Sequence, residues 1–233
     1  MPSRPPVRIA NGQGFWGDSI LGPIRLLREG PLDYLTLDYL AEVTMSIMQK
    51  LRSRDPSKGY ATDFVRLMDR VLPELVEKNV RVVANAGGVN PHACKQALME
   101  VIAKHGMSGV KVDVVDGDDI LDDLDNLMDA GEAFTNMDTG QPLSEVRDRV
   151  TSANVYLGSF PLAAALNHFA PLFIPALRPS PCLFFVPLLP DFLFSPSPLV
   201  HLSPFPLSSH TLSFSSLFPP APFSSCFPLP PPS

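Results

Sequence analysis

Asn11-Gly12-Gln13-Gly14-Phe15-Trp16-Gly17-Asp18 sets three glycines at G-x-G-x-x-G spacing directly after a short apolar run at 7–10. Glycines so placed let backbone amides approach a phosphate at the N-terminus of a following helix, here the segment around 24–28. Asp38 stands 21 residues beyond Gly17, where a dinucleotide site carries its ribose-binding acid. The alternative is a tight strand-to-helix turn without nucleotide. The bulky Phe15-Trp16 pair and the early Gly22-Pro23 favour that plainer reading.

Two further clusters follow the same plan. Asn85-Ala86-Gly87-Gly88-Val89-Asn90-Pro91 places an amide side chain above a di-glycine turn, with Asn90 as a helix cap and proline at the first helical position. Asp116-Gly117-Asp118-Asp119 gathers carboxylates that can hold a hard cation through oxygen ligands. Capping and dipole compensation at a helix start explain them as well, so no metal is assigned. Glu42, one helical turn after Asp38, is a candidate acid or base and equally a solvated carboxylate.

The elements that must position these residues follow from the apolar periodicity. Runs at 7–10, 34–37, 80–84 and 110–115 are short and rich in Val, Ile or Leu, as strands covered on both faces are. Between them, Leu40, Val43, Ile47, Met48 and Leu51 recur at helical spacing up to Asp55-Pro56. Phe64, Val65, Leu67, Met68, Val71, Leu72, Leu75 and Val76 form a second stripe, with a kink expected at Pro73. Ala93, Ala97, Leu98, Val101 and Ile102 form a third, and Ile120, Leu121, Leu124, Leu127 and Met128 a fourth. Strands alternating with helices predict an α/β fold, a Rossmann-like parallel sheet with flanking helices joined by right-handed crossovers. That architecture puts the strand ends, and hence the three clusters, on one rim.

Several chemistries are excluded. No G-x-S-x-G elbow is present, no Walker lysine follows a glycine loop, and His92 and Cys94 point to different helix faces. Within residues 1–170, 17 Lys+Arg against 23 Asp+Glu leave a net charge of −6 without a basic run, which argues against nucleic acid. Cys94 alone in that stretch offers neither a disulfide nor a zinc set. The N-terminus lacks a signal-peptide core, so a cytoplasmic location is expected.

Near residue 170 the polymer changes character. Residues 171–233 hold 17 of the 27 prolines and two charged side chains, Arg178 and Asp191; Pro, Ser, Leu and Phe make up 51 of those 63 residues. Codons for these four can begin with two pyrimidines, so a C/T-rich non-coding tract read in frame would give this composition. The expectation is a domain over 7–170, truncated, and a disordered low-complexity tail over 171–233 from spurious translation. A proline-rich ligand tail lacks a basic PxxP core, and prolines every few residues oppose a membrane span.

Six blocks in order resemble the N-terminal part of the acyclic terpene utilisation family, AtuA: Gly14-Phe15-Trp16-Gly17-Asp18; Leu32-Asp33-Tyr34-Leu35 with Asp38-Tyr39-Leu40-Ala41-Glu42-Val43-Thr44; Gly59-Tyr60-Ala61-Thr62-Asp63-Phe64; Asn85 to Pro91; Gly117-Asp118-Asp119; and Ser152-Ala153-Asn154-Val155-Tyr156-Leu157-Gly158. The resemblance runs from about residue 7 to 165. It implies a role in the breakdown of acyclic isoprenoids such as citronellol or geraniol through acyl-CoA intermediates, and leaves the reaction and any cofactor open. In that family the chain would continue into a strand with an Asp-Ile-Val-Ile-Thr-Gly-Arg-like segment. Here Asn167-His168-Phe169-Ala170 runs into Pro171, so that strand is expected to be missing and the last retained strand to be left as an open edge. The combined expectation is a rim of Gly12, Gly14, Gly17, Asp18, Asn85, Gly87, Gly88 and Asp118 that binds a phosphate-bearing small molecule or acyl-CoA, with Asp38 or Glu42 as acid or base. The alternative is a non-catalytic fragment or interaction module.

Overall fold

Short β-branched runs pair where each can bury one face against helices, and the chain does this five times. The computed structural model describes residues 6–157, 162, 165–166 and 171–175. Strands β1 (Ile9–Gln13), β2 (Tyr34–Leu37), β3 (Arg81–Ala84), β4 (Val112–Val115) and β5 (Leu172–Pro175) form one sheet in the order β1-β2-β3-β5-β4. Every neighbouring pair is parallel. The intervening helices are α1 (Leu21–Glu29), α2 (Glu42–Arg54), α3 (Thr62–Glu77), α4 (Pro91–Lys104) and the short α5 (Leu124–Asp129).

The strand order explains which face each crossover covers. From β1 to β4 the chain steps one way across the sheet, then returns to insert β5 between β3 and β4. Right-handed crossovers put connections of opposite sense on opposite faces. Accordingly Leu27 of α1, Met48 of α2, Leu67 and Met68 of α3 and Leu98 of α4 share one core with Leu35, Leu37, Val82, Ala84 and Ile174. Leu162 and Leu166, from the β4 to β5 connection, pack on the other face against Val83, with Tyr34 and Val115 beside them. Each such fully buried aliphatic side chain adds roughly 2 kcal/mol.

Helix α3 shows the sequence logic at its clearest. Phe64, Leu67, Met68, Val71, Leu72 and Leu75 are buried at a 3–4 spacing that makes one apolar face. Pro73 lies inside this helix without ending it. Its missing N–H leaves the Asp69 carbonyl without its usual partner, and the His105 ring Nε2 meets that oxygen at 3.0 Å.

Four expectations change. A strand forms where none was expected: Leu172–Pro175, which lacks the Asp-Ile-Val-Ile-Thr-Gly-Arg-like segment, makes β5 between β3 and β4, so the sheet runs past residue 170. Strand β1 starts at Ile9 and runs through Gly12 to Gln13, because Asn11 and Gln13 pair with Thr36 and Leu37. In α2 the buried residues are Met45 and Met48, while Val43, Ile47 and Leu51 face outward. Of the last helical stripe, only 124–129 is α-helix, and only Leu124 is buried there. The disordered tail was expected over residues that, beyond 175, lie outside those described.

Candidate functional site

The loop after β1 is organised around a carboxylate of its own. Asp18 accepts from the Gly14 amide at 3.2 Å and the Ser19 amide at 2.6 Å. These are amides that would face a bound phosphate, and Asp18 already engages them. Gly17 has φ +94, which admits the turn. Gly12 has a different duty: a Cβ there would lie 2.9 Å from Pro23 Cβ and 3.0 Å from Leu37 Cδ2, so its hydrogen lets α1 close onto the sheet.

The ends of β2 and β3 are joined by side chains. Asp38 and Asn85 are buried, at 6 % and 0 % exposure. Asn85 Nδ2 donates to Asp38 Oδ1 at 2.7 Å, and Asn85 Oδ1 accepts from the Tyr39 amide at 2.6 Å. The Asp38 amide donates to the Gln13 carbonyl at 3.1 Å, which ties in the end of β1. Asn85 therefore orients a buried carboxylate and fixes the chain that leaves β2.

Glu42 opens α2, where a carboxylate complements the helix N-terminus. Thr44 fixes that start, since its hydroxyl accepts from the Ala41 amide and donates to the Ala41 carbonyl, both at 2.7 Å. Tyr156 donates its hydroxyl to Glu42 Oε1. The hydrogen bond holds the Glu42 carboxyl below its ordinary range and pushes the Tyr156 phenol up, with burial and the charges of Glu42 and Asp38 adding to the latter. Asp38, Glu42 and Tyr156 thus share one electrostatic neighbourhood.

Segment 153–156 also reaches the end of β4. Asn154 Nδ2 donates to Asp118 Oδ2 at 3.0 Å, and the Val155 amide donates to the Asp118 carbonyl at 2.8 Å. Arg52 of α2 donates to the Val89 carbonyl at 2.7 Å and lies 3.9 Å from Asp119. His92 Nε2 meets Asp116 Oδ2 at 2.6 Å in an exposed pair.

The di-glycine turn after β3 is packed shut. A Cβ on Gly87 would lie 2.8 Å from Pro91 Cβ and 2.9 Å from Ile174 Cγ2. On Gly88, with φ +55, it would lie 2.3 Å from Met48 Sδ and 2.5 Å from the Gly59 carbonyl. Asn90 caps α4, its Oδ1 accepting from the Ala93 amide at 3.4 Å.

The family model described as acyclic terpene utilisation family protein AtuA matches residues 7–176, well over half of the chain. The chain belongs to the AtuA family. No curated protein and no solved structure matches it. In this AtuA-family chain the structure brings Asp38, Asn85, Glu42 and Asp118 to the rim through direct bonds or the 154–156 segment. Gly12, Gly87 and Gly88 serve packing, and Gly14 and Asp18 bond to each other. Sequence reasoning missed Tyr156 and Asn154 as partners of Glu42 and Asp118. It also missed Gln13, Tyr39 and Asp63, three buried side chains with unpartnered oxygens. Their signal was a polar residue inside or beside an apolar run, as with Tyr39 after Leu37-Asp38.

A cavity of about 610 Å³ opens at the opposite end of the strands, between Val76, Asn79, Arg81, Met107 and Pro171. No acidic residue lines it. Among the described residues no helix is long and apolar enough to cross a membrane, and no three His, Cys, Asp or Glu converge as a metal cage.

Proposed function

We propose that the chain acts in the breakdown of acyclic isoprenoids and that the strand-end rim receives the acyl end of an isoprenoid acyl-CoA or a related small molecule. The observation that carries this reading is a buried carboxylate held by Asn85 and an exposed one held by Tyr156, both of whose charges act on the Tyr156 phenol. Two carboxylates in unlike settings suit proton transfer, one staying oriented while the other exchanges protons with solvent or substrate. Asp38 and Glu42 are the residues assigned to that transfer, and Tyr156 is a proton donor beside them. The ligand enters by its uncharged end, because Asp18, Asp38, Glu42 and Asp118 make the rim acidic and repel a bare phosphate. CoA phosphates then stay outside the glycine loop, whose amides Asp18 holds.

Calorimetric titration of an isoprenoid acyl-CoA, with free CoA as control, tests this reading. Expected is saturable binding of the acyl thioester, weakened at least about tenfold in Asp38→Asn and in Glu42→Gln. Equal binding of free CoA and the thioester, or unchanged binding in both variants, contradicts it.

A second reading, an interaction module without activity, is favoured by α2. Its exposed Val43 and Ile47 border a shallow groove of about 450 Å³ with Thr151 and Ser152. Under that reading Val43→Asp abolishes partner capture and leaves acyl-thioester titrations flat in every variant.

A further inference from the structure

We infer that the buried oxygens of Gln13, Tyr39 and Asp63 hold a small hard cation behind the rim. These side chains come from three elements: the last residue of β1, the second residue after β2, and the first turn of α3. They are 2 %, 0 % and 8 % exposed. Gln13 Oε1, the Tyr39 hydroxyl and both Asp63 carboxylate oxygens are buried and none makes a well-aligned hydrogen bond, although the Gln13 side chain lies close enough to the Tyr39 hydroxyl to act on it, as does the charge of Asp63.

The backbone stitches the three together. The Asp38 amide on the Gln13 carbonyl sets Tyr39 beside the end of β1, and the Tyr39 ring meets Phe64, next to Asp63, edge-on at 5.8 Å. The Ala61 amide on the Ala86 carbonyl, at 2.9 Å, fixes the start of α3 at the end of β3. Burial, and after it the charge of Asp63, pushes the Tyr39 phenol up, so it stays a neutral hydroxyl.

Oxygen acceptors outnumber donors here. Gln13 Nε2 is committed to the Asp18 carbonyl at 3.2 Å. Turning that amide over would set its oxygen against the same carbonyl and leave Asp63 as it was. Asp63 stands in no ion pair among the described residues. A buried carboxylate without a counter-charge is strongly disfavoured, and a cation coordinated by carboxylate, amide and hydroxyl oxygens removes the deficit. The oxygens are shut off from solvent, which excludes an ammonium-bearing ligand. With one carboxylate among neutral oxygens, the charge count favours sodium or potassium over a divalent ion. The inference stands apart from the acyl-ligand reading, since it concerns the chain without substrate.

The test is thermal unfolding of the full chain dialysed into tetramethylammonium chloride, with sodium, potassium, magnesium or calcium chloride added at matched ionic strength. At least one salt raises the melting temperature saturably, on the order of 5 °C at ~100-fold above its dissociation constant. Asp63→Asn is at least as stable as the parent without the ion and loses the rise. Tyr39→Phe, which keeps the ring, moves the half-saturation point up several-fold. No rise with any of the four salts, or an unchanged rise in either variant, overturns the assignment.

Discussion

The two glycine turns, after β1 and after β3, look alike in sequence and do opposite things. The first is open: a Cβ on Gly14 or Gly17 would meet nothing within 4 Å, and the loop closes on its own carboxylate, Asp18. The second is a packing joint, where Gly87 and Gly88 let α2, α4 and β5 approach the end of β3. A glycine loop therefore says only that the backbone needs room; whether a ligand or another element uses that room depends on what lies opposite. In this chain Asp38, the carboxylate proposed for proton transfer, lies beside the closed turn, where Asn85 on a rigid support holds it in one orientation.

Substitutions graded along the two turns sharpen the contrast. Gly88→Ala meets a backbone oxygen, a sulfur and a positive φ together, and denaturant unfolding should show a loss of about 4 kcal/mol. Asn85→Ala removes the donor to Asp38 and the acceptor of the Tyr39 amide, for about 3 kcal/mol by the same assay. Gly12→Ala, tight against Pro23 and Leu37, costs about 1–2 kcal/mol. Gly14→Ala stays within about 0.5 kcal/mol, and a loss as large as that of Gly88→Ala would break the comparison.

The smallest effect belongs to the exposed pair. Glu42 has its carboxyl pKa lowered by Tyr156, so this bond stabilises the fold above the unfolded Glu value near ~4.3. The contribution fades as pH falls through the lower folded value. A carboxyl-carbon NMR titration should place the Glu42 midpoint below the one found in Tyr156→Phe. Equal midpoints would remove Tyr156 from the site.

Much of the frame was legible in the sequence. Four strands follow from short apolar runs buried on both faces, the N-cap at Asn90 from its place before Pro91, and the apolar face of α3 from the 3.6 period. Strand β5 was hidden because three of its four residues, Leu172, Phe173 and Pro175, are of the types that dominate the residues after it, so little contrast marks it. The outward face of α2 misled for a related reason: Val43, Ile47 and Leu51 repeat at helical spacing as strongly as Met45 and Met48, and spacing cannot say which stripe meets the sheet. In the site, Asp38 stood out because it follows a strand directly, and Glu42 because it comes four residues later. Tyr156 did not, since its bond to Glu42 spans 114 residues and comes from tertiary folding alone. Asp63 carries no signal of its own in the sequence, and only its burial sets it apart.

The central claim is that ligand meets the chain where Asp38 and Asn85 join the ends of β2 and β3, with Glu42 and Tyr156 alongside. Backbone amide NMR shifts recorded during titration with an isoprenoid acyl thioester address it most directly. The account predicts the largest changes at Tyr39, Glu42, Ala86 and Tyr156, and changes confined to Gly14–Ser19 or to the cavity around Asn79 and Met107 would contradict it.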